Sequence, residues 1–218
     1  MENFTECALP DRLNIAVFAS GKGSNLQAIL EGIRTGRIGN AEIVVVVSNN
    51  ANAGALCIAR TNNIPAIHLR RADFTSDDEF NAVLVSTLAQ YRVNFIVLAG
   101  YLKHIDATIV KTFKNRIVNI HPALLPKFGG AGMYGRRVHE TVIAQNEKIS
   151  GATVHIVDEK YDHGTVVLQK TVPVFPDDTP DTLAVRVLQI EHEIYPEAIR
   201  LFSEGRVVVH DRQVTIQT

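Results

Sequence analysis

The chain has 218 residues, 46% of them hydrophobic and 21% charged, and a formal net charge of −1. That length suits an α/β domain able to bury a core without staples, and the near-zero charge excludes a global field for attracting nucleic acid. Cys7 and Cys57 have no metal or redox spacing and read as inert thiols in a reducing compartment, and no apolar run approaches membrane-spanning length.

Residues 1–12 carry Glu2, Glu6 and Asp11 and lack the apolar core of a signal peptide. They are expected to be a frayed extension of a cytoplasmic protein, with 13–218 as a single domain. Residues 13–20 (LNIAVFAS) are almost wholly apolar, as in a strand buried on both faces. Gly21-Lys22-Gly23-Ser24-Asn25 follows, and then the helical spacing Leu26, Ile29, Leu30, Ile33. Strand, glycine turn and helix together point free backbone N–H groups at an anion. The dinucleotide fingerprint needs a third glycine where Leu26 stands, and an acid after the second strand, 41–48, which ends instead in Ser48-Asn49-Asn50. The Walker A pattern is absent too. A single phosphate therefore fits best, the alternative being a tight turn with an ordinary helix cap.

A helix is expected over 54–62, a strand over 65–69, and a helix over 76–90 with Asp77, Asp78 and Glu79 in its first turn. Residues 93–99 (VNFIVLA) read as another buried strand, 101–105 as a loop at its C-terminal end, and 107–113 as a short helix. The next strand carries Asn119 and His121, which share one face and are followed by Pro122. On its own such a pair is more often a loop-capping amide and a satisfied core histidine. Placed at the ligand edge of an α/β sheet, it can hold an oxyanion and move a proton.

Gly129, Gly130, Gly132 and Gly135 mark a long loop, a candidate lid or rim, before a helix at 138–145. Residues 151–157 and 165–174 read as an antiparallel pair joined by a turn containing Asp162. By turn statistics Asp162 alone is an ordinary turn aspartate; folded over the strand of His121, it is a carboxylate partner for the imidazole. A long helix is expected over 182–202, kinked or broken at Pro196, and an edge hairpin over 207–216. Between residues 101 and 138 the bases Lys103, Lys111, Lys114, Arg116, Lys127, Arg136 and Arg137 face the single acid Asp106. This is either a solvated basic face or a rim that attracts an anion. The expected fold class is α/β and Rossmann-like: a mostly parallel twisted sheet with helices on both faces, then a C-terminal antiparallel hairpin and a long helix.

Four features in order resemble the glycinamide ribonucleotide branch of the folate-dependent formyltransferases. They are Ser20-Gly21-Lys22-Gly23-Ser24-Asn25, the run from Asn119 to Lys127 (NIHPALLPK), Thr153-Val154-His155 with Asp162 downstream, and Glu191-His192 before Tyr195-Pro196. The resemblance implies that Asn119, His121 and Asp162 are catalytic. It implies that Gly23, Ser24 and Asn25 hold a substrate phosphate and that Glu191 holds ribose. It places Leu102, Lys103, His104, Ile105, Val157 and Tyr161 around a folate. The implied reaction moves a formyl group from 10-formyltetrahydrofolate, a co-substrate, to the amine of 5-phosphoribosyl glycinamide in purine synthesis, with no metal. The implied partners are small molecules, without nucleic acid or membrane, acting on a monomer or homodimer. Asn119 and a protonated His121 would stabilise the tetrahedral oxyanion, with Asp162 keeping His121 charged. Lys103, Arg136 and Arg137 would attract the glutamate tail of the folate. The chain departs from the family pattern at Lys22, His104 and His163, and in the glycine-rich loop 128–138. The related tRNA formyltransferase and formyltetrahydrofolate hydrolase share the Asn-x-His run. The phosphate turn favours transfer to a ribonucleotide, and the expectation is a chain without a tRNA-binding appendage or a regulatory domain. A non-catalytic nucleotide-binding module would need the glycine turn but not the Asn119, His121 and Asp162 set.

Overall fold

The computed structural model describes residues 12–211 and 213–217. The expected extension 1–12 therefore lies outside the described residues except for Arg12, whose guanidinium meets Glu42 at 2.8 Å. Cys7 is outside them too, and Cys57 is an exposed free thiol.

Nine strands are described: β1 (Leu13–Phe18), β2 (Ala41–Ser48), β3 (Ala66–His68), β4 (Phe95–Leu98), β5 (Ile117–His121), β6 (Ile149–Ile156), β7 (Val166–Pro173), β8 (Val207–His210) and β9 (Gln213–Ile216). The helices are α1 (Ser24–Arg34), α2 (Gly54–Thr61), α3 (Asp77–Gln90), α4 (Ala107–Thr112), α5 (Arg136–Ala144) and α6 (Pro180–Ser203). The main sheet has seven strands in the order β3-β2-β1-β4-β5-β6-β7. The pairings from β3 through β5 are parallel, while β5–β6 and β6–β7 are antiparallel. The order in which successive strands are added reverses between β1 and β4, the crevice where open α/β sheets bind ligands. Ser20 N–H donates to Gly100 O at 3.0 Å and Leu102 N–H to Ser20 Oγ at 3.0 Å, tying the two loops at that crevice together.

Alternation in the strands divides the core into two layers. Leu13, Ile15 and Val17 of β1 and Phe95 and Val97 of β4 pack with Leu26 and Ile29 of α1, Leu56 of α2 and Leu183 and Val187 of α6. Ala16 and Phe18 of β1 and Ile96 and Leu98 of β4 pack on the other face with Leu84 and Leu88 of α3 and Ile109 of α4. Side chains two residues apart share a face, so strands apolar throughout bury both sides under helices. The expected fold class is therefore observed.

Two expectations are corrected. Of the kink or break expected at Pro196, the break does not occur: α6 runs as one helix of 24 residues. Proline removes one backbone donor, but Tyr195, Pro196, Ala198, Ile199, Leu201 and Phe202 are all buried, and Tyr195 Oη donates to Leu98 O at 2.9 Å and Val118 O at 3.1 Å. Packing on both sides of the proline holds the helix in register. The second correction is the tail. Strands β8 and β9 form a two-stranded sheet of their own instead of an edge of the main sheet.

Candidate active site

β5 brings Asn119 and His121 to the C-terminal edge of the parallel strands on one side. Its antiparallel register with β6 pairs Asn119 with His155 and His121 with Thr153. The Asn119 amide, Nδ2, lies 3.0 Å from His155 Nε2 and 3.4 Å from Asp162 Oδ1. His155 Nδ1 stands 3.2 Å from Ile156 O, and its Nε2 faces both the Asn119 amide and the Asp162 carboxylate. Asp162 Oδ1 is 3.5 Å from His121 Nδ1 and 3.6 Å from His155 Nε2, while Oδ2 accepts from Gly130 N–H at 3.0 Å. His121 Nε2 is 2.7 Å from Phe128 O and therefore donates there.

The turn carrying Asp162 has structural reasons for its sequence. Asp162 is left-handed, at φ 51, a conformation aspartate tolerates. Gly164 follows because an added Cβ would lie 1.7 Å from Ile156 O. The turn thus folds back on the end of β6, and the carboxylate reaches β5.

Electrostatics in this cluster oppose one another. Burial pushes the His121 imidazole below its ordinary value of 6.5; the Asp162 charge and the Phe128 carbonyl raise it without overcoming burial. Burial thus acts against the Asp162 carboxylate, which favours the protonated ring. Burial raises the Asp162 carboxyl, but the hydrogen bond with His155, the His121 charge and the Gly130 N–H outweigh it and hold it below the ordinary carboxylate value.

This cluster opens on a cleft of about 490 Å³. Leu102, Lys103, His104, Ile105, Val157 and Tyr161 line it, as do Asn119, His121, Asp162, Asn25 and Glu191. The rings of His104 and Tyr161 meet edge to face at 4.8 Å, and His104 Nε2 lies 3.2 Å from Glu159 O, so the loops after β4 and β6 touch across the cleft. Gly23 and Ser24 are not among the lining residues. They form the start of α1, where Gly23 is left-handed at φ 84 and no side chain among the described residues caps the helix. The uncapped N–H groups of that turn suit an anion. The Asn25 side chain reaches α6, where its Nδ2 donates to Glu191 Oε2 at 2.7 Å. Burial raises the Glu191 carboxyl to about 6, against the lowering effect of the Asn25 bond. Of the three basic residues expected to attract a folate tail, Arg136 is already held between Glu140 and Asp181.

Reasoning from sequence assigned no role to His155 or His139, and both line the cleft. For His155 the missing signal was strand register, which spacing along one strand does not carry. For His139 it was a polar residue on the buried face of a short amphipathic helix.

Residues 13–199 match the family model described as formyl transferase. The chain belongs to the formyl transferase family. It is 39% identical to a phosphoribosylglycinamide formyltransferase of Haemophilus influenzae over 90% of each chain. It is 43% identical to the chloroplastic phosphoribosylglycinamide formyltransferase of Arabidopsis thaliana, over 91% of this chain and 68% of that relative. Its fold superposes on the crystal structure of glycinamide ribonucleotide transformylase 1 from Symbiobacterium toebii with a TM-score of 0.89 at 42% identity, covering 95% of each chain. Among the described residues of this formyl transferase no helix is long and apolar enough to cross a membrane. No group of three or more His, Cys, Asp or Glu among them could hold a metal ion.

Proposed function

We propose that this formyl transferase moves a formyl group from 10-formyltetrahydrofolate to the amine of 5-phosphoribosyl glycinamide. The products are formylglycinamide ribonucleotide and tetrahydrofolate, in purine biosynthesis. A cytoplasmic location and a monomeric or homodimeric state belong to the same reading. One observation carries it within the family: Asn119, His121 and Asp162 converge at a cleft that also reaches Asn25 and Glu191.

In this reading the ribonucleotide lies toward α1 and α6. Its phosphate meets the backbone at Gly23 and Ser24, and its ribose meets Glu191 beside Asn25. The folate lies against Leu102 to Ile105, Val157 and Tyr161, and the two ligands meet at Asn119. The uncharged amine attacks the formyl carbon, and its electron pair displaces the C=O π pair onto oxygen. Asn119 Nδ2 donates to that oxyanion, exchanging its 3.4 Å bond to Asp162, the longer of its two, for a shorter one. His121 Nδ1, neutral beforehand, takes the proton that the attacking nitrogen must lose. The Asp162 carboxylate then lies 3.5 Å from an imidazolium and stabilises it. The same proton passes to the folate nitrogen as its bond to the formyl carbon breaks.

The test follows folate absorbance with purified protein, a 10-formylated folate, and the ribonucleotide present or omitted. Deformylation that requires the ribonucleotide, with formylated product in equal amount, is the expected result. Equal deformylation without it would mean that water is the acceptor and would overturn the proposal.

A further inference from the structure

We propose that His139 is a substrate-positioning residue whose imidazole hydrogen-bonds the glycinamide arm of the acceptor. This rests on the acceptor assigned above. His139 lies on the buried face of α5 between Val138 and Val142, and it is 5% exposed. An aliphatic side chain would pack there without polar atoms to satisfy. Instead His139 Nδ1 is buried with no hydrogen-bond partner among the described residues. Folded proteins keep few such groups, and each calls for a reason.

The location supplies one. His139 lines the same cleft as His121, Asn25 and Glu191 and lies close enough to His121 to feel its charge. Asn25 Oδ1 is a second buried polar atom in the same lining without a partner among the described residues. His139, Asn25 and Glu191 sit on α5, α1 and α6, on the side of the sheet where Val142 of α5 packs with Leu26 of α1 and Leu183 and Val187 of α6. The walls assigned to the folate are on the other side, where Ile105 and Val157 join the opposite core layer. His139 therefore faces the acceptor.

Its protonation narrows the group it meets. Burial, aided by the His121 charge, pulls the imidazole down to about 4, so it is neutral at neutral pH. A neutral ring offers one donor and one acceptor and carries no charge for a phosphate. Its nearness to His121 puts it beside the reacting amine, at the end of the acceptor that carries neutral N–H and C=O groups.

The experiment compares wild type with His139→Leu and His139→Gln in steady-state kinetics. Both substrates are varied, and ribose 5-phosphate serves as a competitive inhibitor. His139→Leu should raise the acceptor KM about tenfold, as expected for one lost hydrogen bond, with donor KM unchanged. The inhibition constant of ribose 5-phosphate should also stay unchanged, because that probe lacks the glycinamide arm. His139→Gln, which keeps a donor and an acceptor, should recover part of the loss. The melting temperature of His139→Leu should not fall, because no partner is lost. An unchanged acceptor KM, or donor and acceptor KM rising together, would overturn the proposal. An equal rise in the ribose 5-phosphate constant would move the contact to the sugar and overturn it as well. Failure of the wild type to formylate the ribonucleotide would overturn the acceptor reading itself, an outcome distinct from a normal wild type with an unaffected variant.

Discussion

Replacing Asp162 with asparagine tests the catalytic cluster most directly, because it removes a charge while keeping the shape. The carboxylate has two faces in this structure. Oδ2 accepts from Gly130 N–H at 3.0 Å, and Oδ1 faces Asn119 Nδ2, His121 Nδ1 and His155 Nε2. An amide must turn its oxygen to Gly130, since the other orientation sets N–H against N–H. Its Nδ2 then points at His121 Nδ1 and donates to the lone pair that should take the amine proton. At 3.5 Å and an effective dielectric constant of about 20, the lost carboxylate would have stabilised a full positive charge on His121 by about 4–5 kcal/mol. Charge is only partly formed in the transition state, which reduces this to about 3 kcal/mol, or a fall of ~10²-fold in kcat. The acceptor KM should change little, because Asn25 and Glu191 are untouched. Stopped-flow or steady-state folate absorbance measures both parameters on folded variant. Turnover within about threefold of wild type would remove Asp162 from proton transfer and refute the argument.

Further outcomes follow from individual contacts. His139 titrates near 4 in the fold against an ordinary 6.5, so the unfolded chain binds more protons between those values and stability falls as pH drops through that window, by roughly 3 kcal/mol in all. Glu191, raised from 4.5 to about 6, has the opposite sign: the folded state binds more protons, and stability rises by about 2 kcal/mol as pH falls through that interval. Urea midpoints measured from pH 7 to pH 4 should therefore show a partial cancellation, and His139→Leu should be more resistant to acid than wild type. Gly164→Ala should destabilise by about 3 kcal/mol or more, since its Cβ would collide with Ile156 O at 1.7 Å; an unchanged denaturation midpoint would contradict the turn geometry. Tyr195→Phe removes the two bonds to Leu98 O and Val118 O and should cost about 1–2 kcal/mol in thermal or urea unfolding.

Local chemistry carried the strands and helices a long way. Alternating and continuous apolar runs mark β1, β2, β4 and β5, and the acids of 77–79 mark the start of α3, because these signals are properties of neighbouring residues. Asn119 and His121 were legible together because the two-residue spacing of a strand guarantees a shared face. Asp162 was legible only through its resemblance to a known pattern, since nothing along the chain says which strand a turn folds over.

Tertiary structure decided the rest. The β5–β6 register places His155 opposite Asn119, and pairing between strands distant in sequence is not encoded in either strand alone. Pro196 reads locally as a helix breaker, yet α6 continues because buried side chains flank it on both sides. Asn25, expected at a phosphate, also bonds Glu191 through its side chain, 166 residues away. His121 beside a carboxylate suggests a cation, but burial acts against that partner and lowers its pKa. In each case local spacing determines what a residue can do, while the dielectric and the partners it meets depend on which distant segments pack around it.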